Sequence, residues 1–199
     1  MNEQTIHLTK FMGYDPEKHH RRSIRLRHYD YRAPGSYFVT ICTYQRLCLF
    51  GDVVDGEMQM NAFGEAVNDC WQAIPQHFPH VGCDAFVVMP NHVHGIVVIS
   101  GDMAGEGIAG EGMTVPCPNK ARKFGKPIAG SLPTIVGSFK SAATKRINQI
   151  RDAQGSPVWQ RNYYERIVRD DAALANIRRY IKNNPAAWHE DRLRSPQSQ

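Results

Sequence analysis

Ala85-Phe86-Val87-Val88-Met89-Pro90-Asn91-His92-Val93-His94-Gly95-Ile96-Val97-Val98-Ile99 contains two apolar runs broken by a Pro-Asn pair. A proline inside a helix removes a hydrogen bond and clashes with the preceding turn, so one long helix is disfavoured. Two strands joined by a tight turn fit better, and strands joined that way pair antiparallel. Side chains two apart on a strand share a face. His92 and His94 therefore point the same way, from a strand otherwise made of Ile, Val and Gly.

The surrounding chain supplies partners for this hairpin. Tyr37-Phe38-Val39-Thr40-Ile41-Cys42-Thr43 is rich in β-branched and aromatic residues and reads as a strand. The stretch from Gln45 to Val54 reads as completing a hairpin or as an edge strand. From Asn61 to Phe78, Phe63, Val67, Trp71 and Ile74 recur at helical steps. Leu132 to Ile150 is a second helix, with Ile135, Phe139, Ala142 or Ala143, and Ile147 inward and Lys140, Lys145 and Arg146 outward. An extended piece runs from Val158 to Val168. Asp170 is a suitable N-cap for a last helix, Asp171 to about Asn183, which must stop before Pro185.

This order predicts an α+β fold: an antiparallel sheet covered on one face by helices, of ferredoxin-like or RRM-like form. Residues 1–20 are expected to be a flexible arm, 21–190 a single domain, and 191–199 a C-terminal tail. Residues 101–131 are Gly/Pro-rich without apolar period and read as a loop insertion. At 199 residues and 42% apolar content the chain can bury a real core.

Charge and cysteine usage narrow the class. Lys and Arg number 24 against 19 Asp and Glu, for a net charge of +5. The excess is uneven: residues 19–32 carry five arginines and one acid, and a second basic set runs from Arg161 to Arg194. A polyanionic partner suits this distribution. Five cysteines without a CxxC pair argue against a disulfide framework or zinc knuckle. No stretch approaches the ~20 apolar residues of a membrane span, so the expectation is a cytoplasmic protein with no membrane partner.

The pair His92 and His94 could share one metal ion, or could be two sheet histidines satisfied by hydrogen bonds. A polar pair inside an apolar strand requires a specific partner either way. A second constellation lies on the last helix, where Tyr180 and Asn184 are four residues apart and share a face. If that helix runs beside the histidine strand, Asn184 can add an oxygen ligand and Tyr180 a phenol, with coordination sites left open. Packing and a helix stop explain the same two residues equally well. Tyr163 and Tyr164 are rival nucleophiles beside Trp159, Arg161 and Arg166. They also suit a half-buried strand, one ring in and one out, or a stacking surface for unpaired bases.

Four segments in this order resemble the REP-associated tyrosine transposases, a branch of the IS200-like, HUH-type single-tyrosine transposases. They are Phe38-Val39-Thr40-Ile41, Val87 through His94, Val158-Trp159-Gln160-Arg161-Asn162-Tyr163-Tyr164-Glu165, and Tyr180-Ile181-Lys182-Asn183-Asn184-Pro185. Together they span roughly residues 20 to 190. The resemblance implies a ferredoxin-like fold and a transposase-type endonuclease and strand transferase acting on single-stranded, hairpin (REP-like) DNA. It implies Tyr180 as the nucleophile that becomes a 5′-phosphotyrosine, and His92, His94 and Asn184 as ligands of Mg2+ or Mn2+. Arg21, Arg22, Arg25 and Arg27 of the arginine-rich stretch at residues 19–32, with Lys140, Lys145, Arg146, Arg161, Arg178 and Arg179, are the expected DNA contacts. The family includes both homodimers and monomers. The alternative is a domesticated, non-catalytic hairpin DNA-binding protein.

Overall fold

Along β1 (Gly35–Cys42), Tyr37, Val39 and Ile41 enter one hydrophobic core, while Phe38 enters another on the opposite face. That alternation places β1 in the middle of a two-sided sheet. The structure is a computed structural model and describes residues 29–101 and 128–194. The expected arm at 1–20, the arginines Arg21, Arg22, Arg25 and Arg27, and most of the 101–131 loop lie outside the described residues.

The remaining elements follow as β2 (Gly51–Val54), β3 (Glu57–Met60), α1 (Ala62–Gln72), α2 (Ile74–His77), β4 (Val81–Met89) and β5 (His92–Ile99). After them come α3 (Leu132–Ile150), β6 (Tyr164–Val168) and α4 (Asp171–Asn183). The main sheet has the order β4-β5-β1-β6, with every neighbour antiparallel. Without the small β2-β3 ribbon, the chain runs β-α-β-β-α-β, the ferredoxin-like plan expected from the sequence.

The expectation of helices on one face is corrected. One core joins Tyr37, Val39, Ile41, Val93 and Val97 to α1 and α3 through Val67, Trp71, Ile135, Phe139 and Ile147. The other joins Phe38 and Ile96 to Ile177 and Ile181 of α4. Because β1 and β5 carry apolar side chains in both directions, each face needs a cover, and α4 supplies the second. Gly95 permits the packing of the first face: a Cβ there would come within 2.3 Å of the Trp71 ring, which stacks on Phe86 at 4.4 Å.

Two local departures have plain causes. The helix expected over 61–78 breaks after Gln72 and resumes as α2, whose first turn contains Pro75. Asn61 caps α1 by accepting hydrogen bonds from the Phe63 and Gly64 amides. The segment 45–54 does not pair with β1. It ends in β2, which turns at Asp55-Gly56 (φ 52° and 79°) into β3. Both angles lie in the left-handed region used by two-residue hairpin turns. Among the described residues no helix is long and apolar enough to cross a membrane.

Candidate active site

β5 begins directly after the tight turn at Pro90-Asn91, and the strand period puts His92 and His94 on the face covered by α4. Both are almost fully buried. Asn91 fixes the first of them. Its Nδ2 donates to the carbonyls of Arg46 (3.2 Å) and Leu193 (2.8 Å), so its Oδ1 faces His92. His92 Nδ1 therefore donates to that oxygen at 2.8 Å, and Nε2 keeps its lone pair. Burial pushes the His92 imidazole down to about 4, against smaller opposing effects of Asp191 and Asn184. The ring is neutral at pH 7.

His94 is held by a hydrogen bond between Nδ1 and Thr40 Oγ1 at 2.8 Å. Its Nε2 lies 3.1 Å from the Tyr180 hydroxyl. Burial, then repulsion from His92, holds this ring well below the usual histidine range. With Nδ1–H donating to Thr40, Nε2 accepts from the phenol, a tautomer inferred from the partners. Phe38 stacks on His94 (5.4 Å between centroids) and meets Tyr180 edge-on (6.1 Å).

α4 brings Tyr180 here because Ile177 and Ile181 anchor the helix on Phe38 and Ile96. Asp170 caps it, accepting from the Ala173 amide at 2.7 Å, as the sequence predicts. Tyr180 is 47% exposed, so its oxygen touches His94 while the ring remains open to solvent. Burial raises its pKa, the Asp191 carboxylate raises it further, and the Asn184 amide works the other way. Asn184, one turn on, is buried at the same place.

Asp191 is the residue that sequence reading missed. After α4 a short 3-10 turn, Trp188–Glu190, carries the chain back over the histidines. Ligand atoms of His92, His94 and Asp191 all lie within 4.8 Å of one another. Asp191 Oδ2 and His92 Nε2 are 3.7 Å apart, too far for a hydrogen bond. His92 Nε2, Asn184 Oδ1 and Asp191 Oδ2 are all buried, without hydrogen-bond partners among the described residues. Buried atoms of this kind are costly unless something satisfies them. Two imidazoles, an amide oxygen and a carboxylate form a donor set that fits a divalent cation. No spacing rule ties residue 191 to residue 92, so only the fold reveals this fourth donor.

The expected DNA contacts fare unequally. Lys140 does not remain outside. Its ammonium donates to the carbonyls of Gln160 (2.7 Å) and Arg161 (3.2 Å), and burial lowers its pKa. Arg178 is gripped by Asp84, with Nη2 at 2.6 Å and Nε at 3.0 Å, and Arg146 reaches Asp69 at 3.3 Å. Lys145, Arg161 and Arg179 are exposed. Lys145 and Arg161 line a groove of about 510 Å³ between α3 and residues 155–161. Tyr163 packs on the first core and Tyr164 faces solvent, the one-in, one-out strand expected.

A protein from Haemophilus influenzae, itself uncharacterized, is 41% identical over 181 residues, covering 90% of this chain and 96% of the relative. The two chains belong to one family. No protein-family model matches the chain. Among solved structures, a REP-associated tyrosine transposase bound to a REP hairpin superposes with a TM-score of 0.52 and 15% identity, over 84% of this chain and 74% of that one. The chain thus has the fold of a REP-associated tyrosine transposase. A putative transposase from Deinococcus radiodurans gives a TM-score of 0.42 at 18% identity, over 80% of this chain and 95% of that one.

Proposed function

We propose that this chain cleaves and rejoins single-stranded, hairpin-bearing DNA through a covalent link to Tyr180, as a transposase of the REP-associated tyrosine type. The observation that carries the reading is the Tyr180 hydroxyl, 3.1 Å from His94 Nε2, at the open edge of a pocket of unpartnered donor atoms. A phenol with a raised pKa is a weak nucleophile. His92, His94 and Asn184, with Asp191 beside them, would hold Mg2+ or Mn2+, and the imidazoles favour Mn2+. Such a cation would favour the phenolate and polarise a phosphoryl oxygen.

The chain's own residues orient the reaction. Thr40 and Asn91 fix the two imidazoles, and Phe38 steadies the Tyr180 ring. In the step itself the Tyr180 oxygen gives up its proton and bonds to phosphorus. The bond from phosphorus to the 3′ oxygen breaks, and that oxygen takes up a proton and leaves as a hydroxyl, with no net proton gained or lost. The phosphotyrosine conserves the bond energy, so a 3′ hydroxyl can reverse the step and no external energy source is needed. The solved neighbour's REP hairpin supports hairpin DNA as the partner class.

The test incubates the full chain with a labelled hairpin oligonucleotide and Mn2+, then denatures it. The expected result is a denaturation-resistant adduct that Tyr180→Phe abolishes while binding is spared. An adduct that persists in that variant moves the nucleophile to another residue. Binding without any adduct from the wild type selects the non-catalytic, domesticated alternative instead.

A further inference from the structure

β6 is an edge strand, and its two faces do different things. Tyr163 and Ile167 pack into the core under α1 and α3, whereas Val168 packs into the core under α4. By strand parity Tyr164 and Arg166 stand on the α4 face, with the histidines. The register agrees: Thr40 has His94 on one side and Tyr164 on the other. Phe38, whose ring stacks on His94, has Arg166 as its β6 partner. Adjacent strands are about 4.8 Å apart, so the Tyr164 backbone is about 10 Å from that of His94. Tyr164 is 53% exposed, and Arg166 is exposed. Among the described residues neither side chain has a hydrogen-bond or ion-pair partner.

An aromatic ring open to solvent with an exposed guanidinium two residues on, beside a candidate phosphodiester site, has the composition of a single-strand binding surface. Ring faces stack on any base, and arginine neutralises backbone phosphate. We propose that Tyr164 and Arg166 form a shelf for a nucleotide flanking the scissile phosphate, with its base on the Tyr164 ring and its phosphate at Arg166. The proposal rests on the reading above that this face takes single-stranded DNA. It gives Tyr164 a substrate-positioning role rather than that of a rival nucleophile.

Fluorescence anisotropy of a labelled single-stranded oligonucleotide with the full chain tests it. Tyr164→Ala should weaken binding about tenfold, equal to ~1.4 kcal/mol, while Tyr164→Phe, which keeps the ring, stays near wild type. Arg166→Ala should weaken binding and flatten its salt dependence by about one phosphate's worth. On a fully abasic oligonucleotide the wild type and Tyr164→Ala should bind alike, a result that a general folding defect would not produce. Equal affinity of wild type and Tyr164→Ala for the normal oligonucleotide overturns the shelf alone, whatever the Tyr180 adduct assay shows. A wild type that binds no single-stranded DNA overturns the underlying reading and the shelf with it.

Discussion

At the scale of single residues, the site depends on keeping two imidazoles neutral in a buried place. His92 has its pKa lowered from 6.5 to about 4 chiefly by burial. Between those values the unfolded chain binds the proton and the folded chain does not. This contribution is therefore fully present above pH 6.5 and is lost as the pH falls toward 4. The full swing is about 3 kcal/mol, and His94 shifts in the same direction. Urea denaturation of the metal-free chain should show its midpoint dropping between pH 7 and pH 4.5, with His92→Gln flattening that drop. An unchanged pH profile in the variant would mean that His92 is not the group responsible. The pair itself was legible in the sequence because the strand period alone aligns His92 with His94. Tyr180 and Asn184 were legible because helical spacing aligns them. Asp191 was not, because its approach depends on a turn beyond α4 that no periodicity describes.

At the scale of elements, boundaries were readable wherever local chemistry sets them. α3 and α4 follow the predicted limits, the latter between an Asp170 cap and Pro185. Of the β2-β3 ribbon, β2 was legible inside Gln45–Val54, but β3 and the strong turn signal at Asp55-Gly56 were passed over, because each strand is only 4 residues long. The helix break at Ala73 was signalled by Pro75 but masked by the continuing apolar period. The second helical layer was the larger omission, since periodicity says which residues are apolar and not what covers them. α4 has 13 residues and fixes itself to the sheet mainly through Ile177 and Ile181. A helix that short is marginal without packing. Ile181→Ala should cost about 2–4 kcal/mol in urea unfolding, and the cap variant Asp170→Ala about 1 kcal/mol. Each should slow Tyr180 adduct formation more than it weakens DNA binding. Equal loss of both would show that α4 positions the DNA as much as the phenol.

At the scale of the whole molecule, the strand order β4-β5-β1-β6 could not be derived from periodicity, which finds strands without naming their neighbours. The resemblance implied a ferredoxin-like fold without an explicit strand order, and right-handed crossovers leave few other ways to join these elements. Net charge is likewise a whole-molecule property, and here the fold redistributes it. Arg146 and Arg178 are engaged by Asp69 and Asp84, and Lys140 is turned toward backbone carbonyls. Arg32 takes the single acid of its own segment, Asp30, at 2.6 Å. By sequence, Arg21, Arg22, Arg25 and Arg27 stand in a stretch, residues 19–32, whose single acid is Asp30. If these four contact phosphates, each releases counterions on binding, and the logarithm of affinity falls with the logarithm of salt by about 0.7–0.9 per contact. Replacing all four with glutamine should reduce that slope by about 3 for a hairpin oligonucleotide. The same change should weaken binding at low salt more than at high salt, and leave the unfolding free energy from urea titration within about 0.5 kcal/mol of wild type. A slope unchanged by the fourfold replacement would remove these four arginines from the DNA interface and leave exposed cations of the described residues, such as Lys145, Arg161, Arg166 and Arg179, to account for the electrostatics.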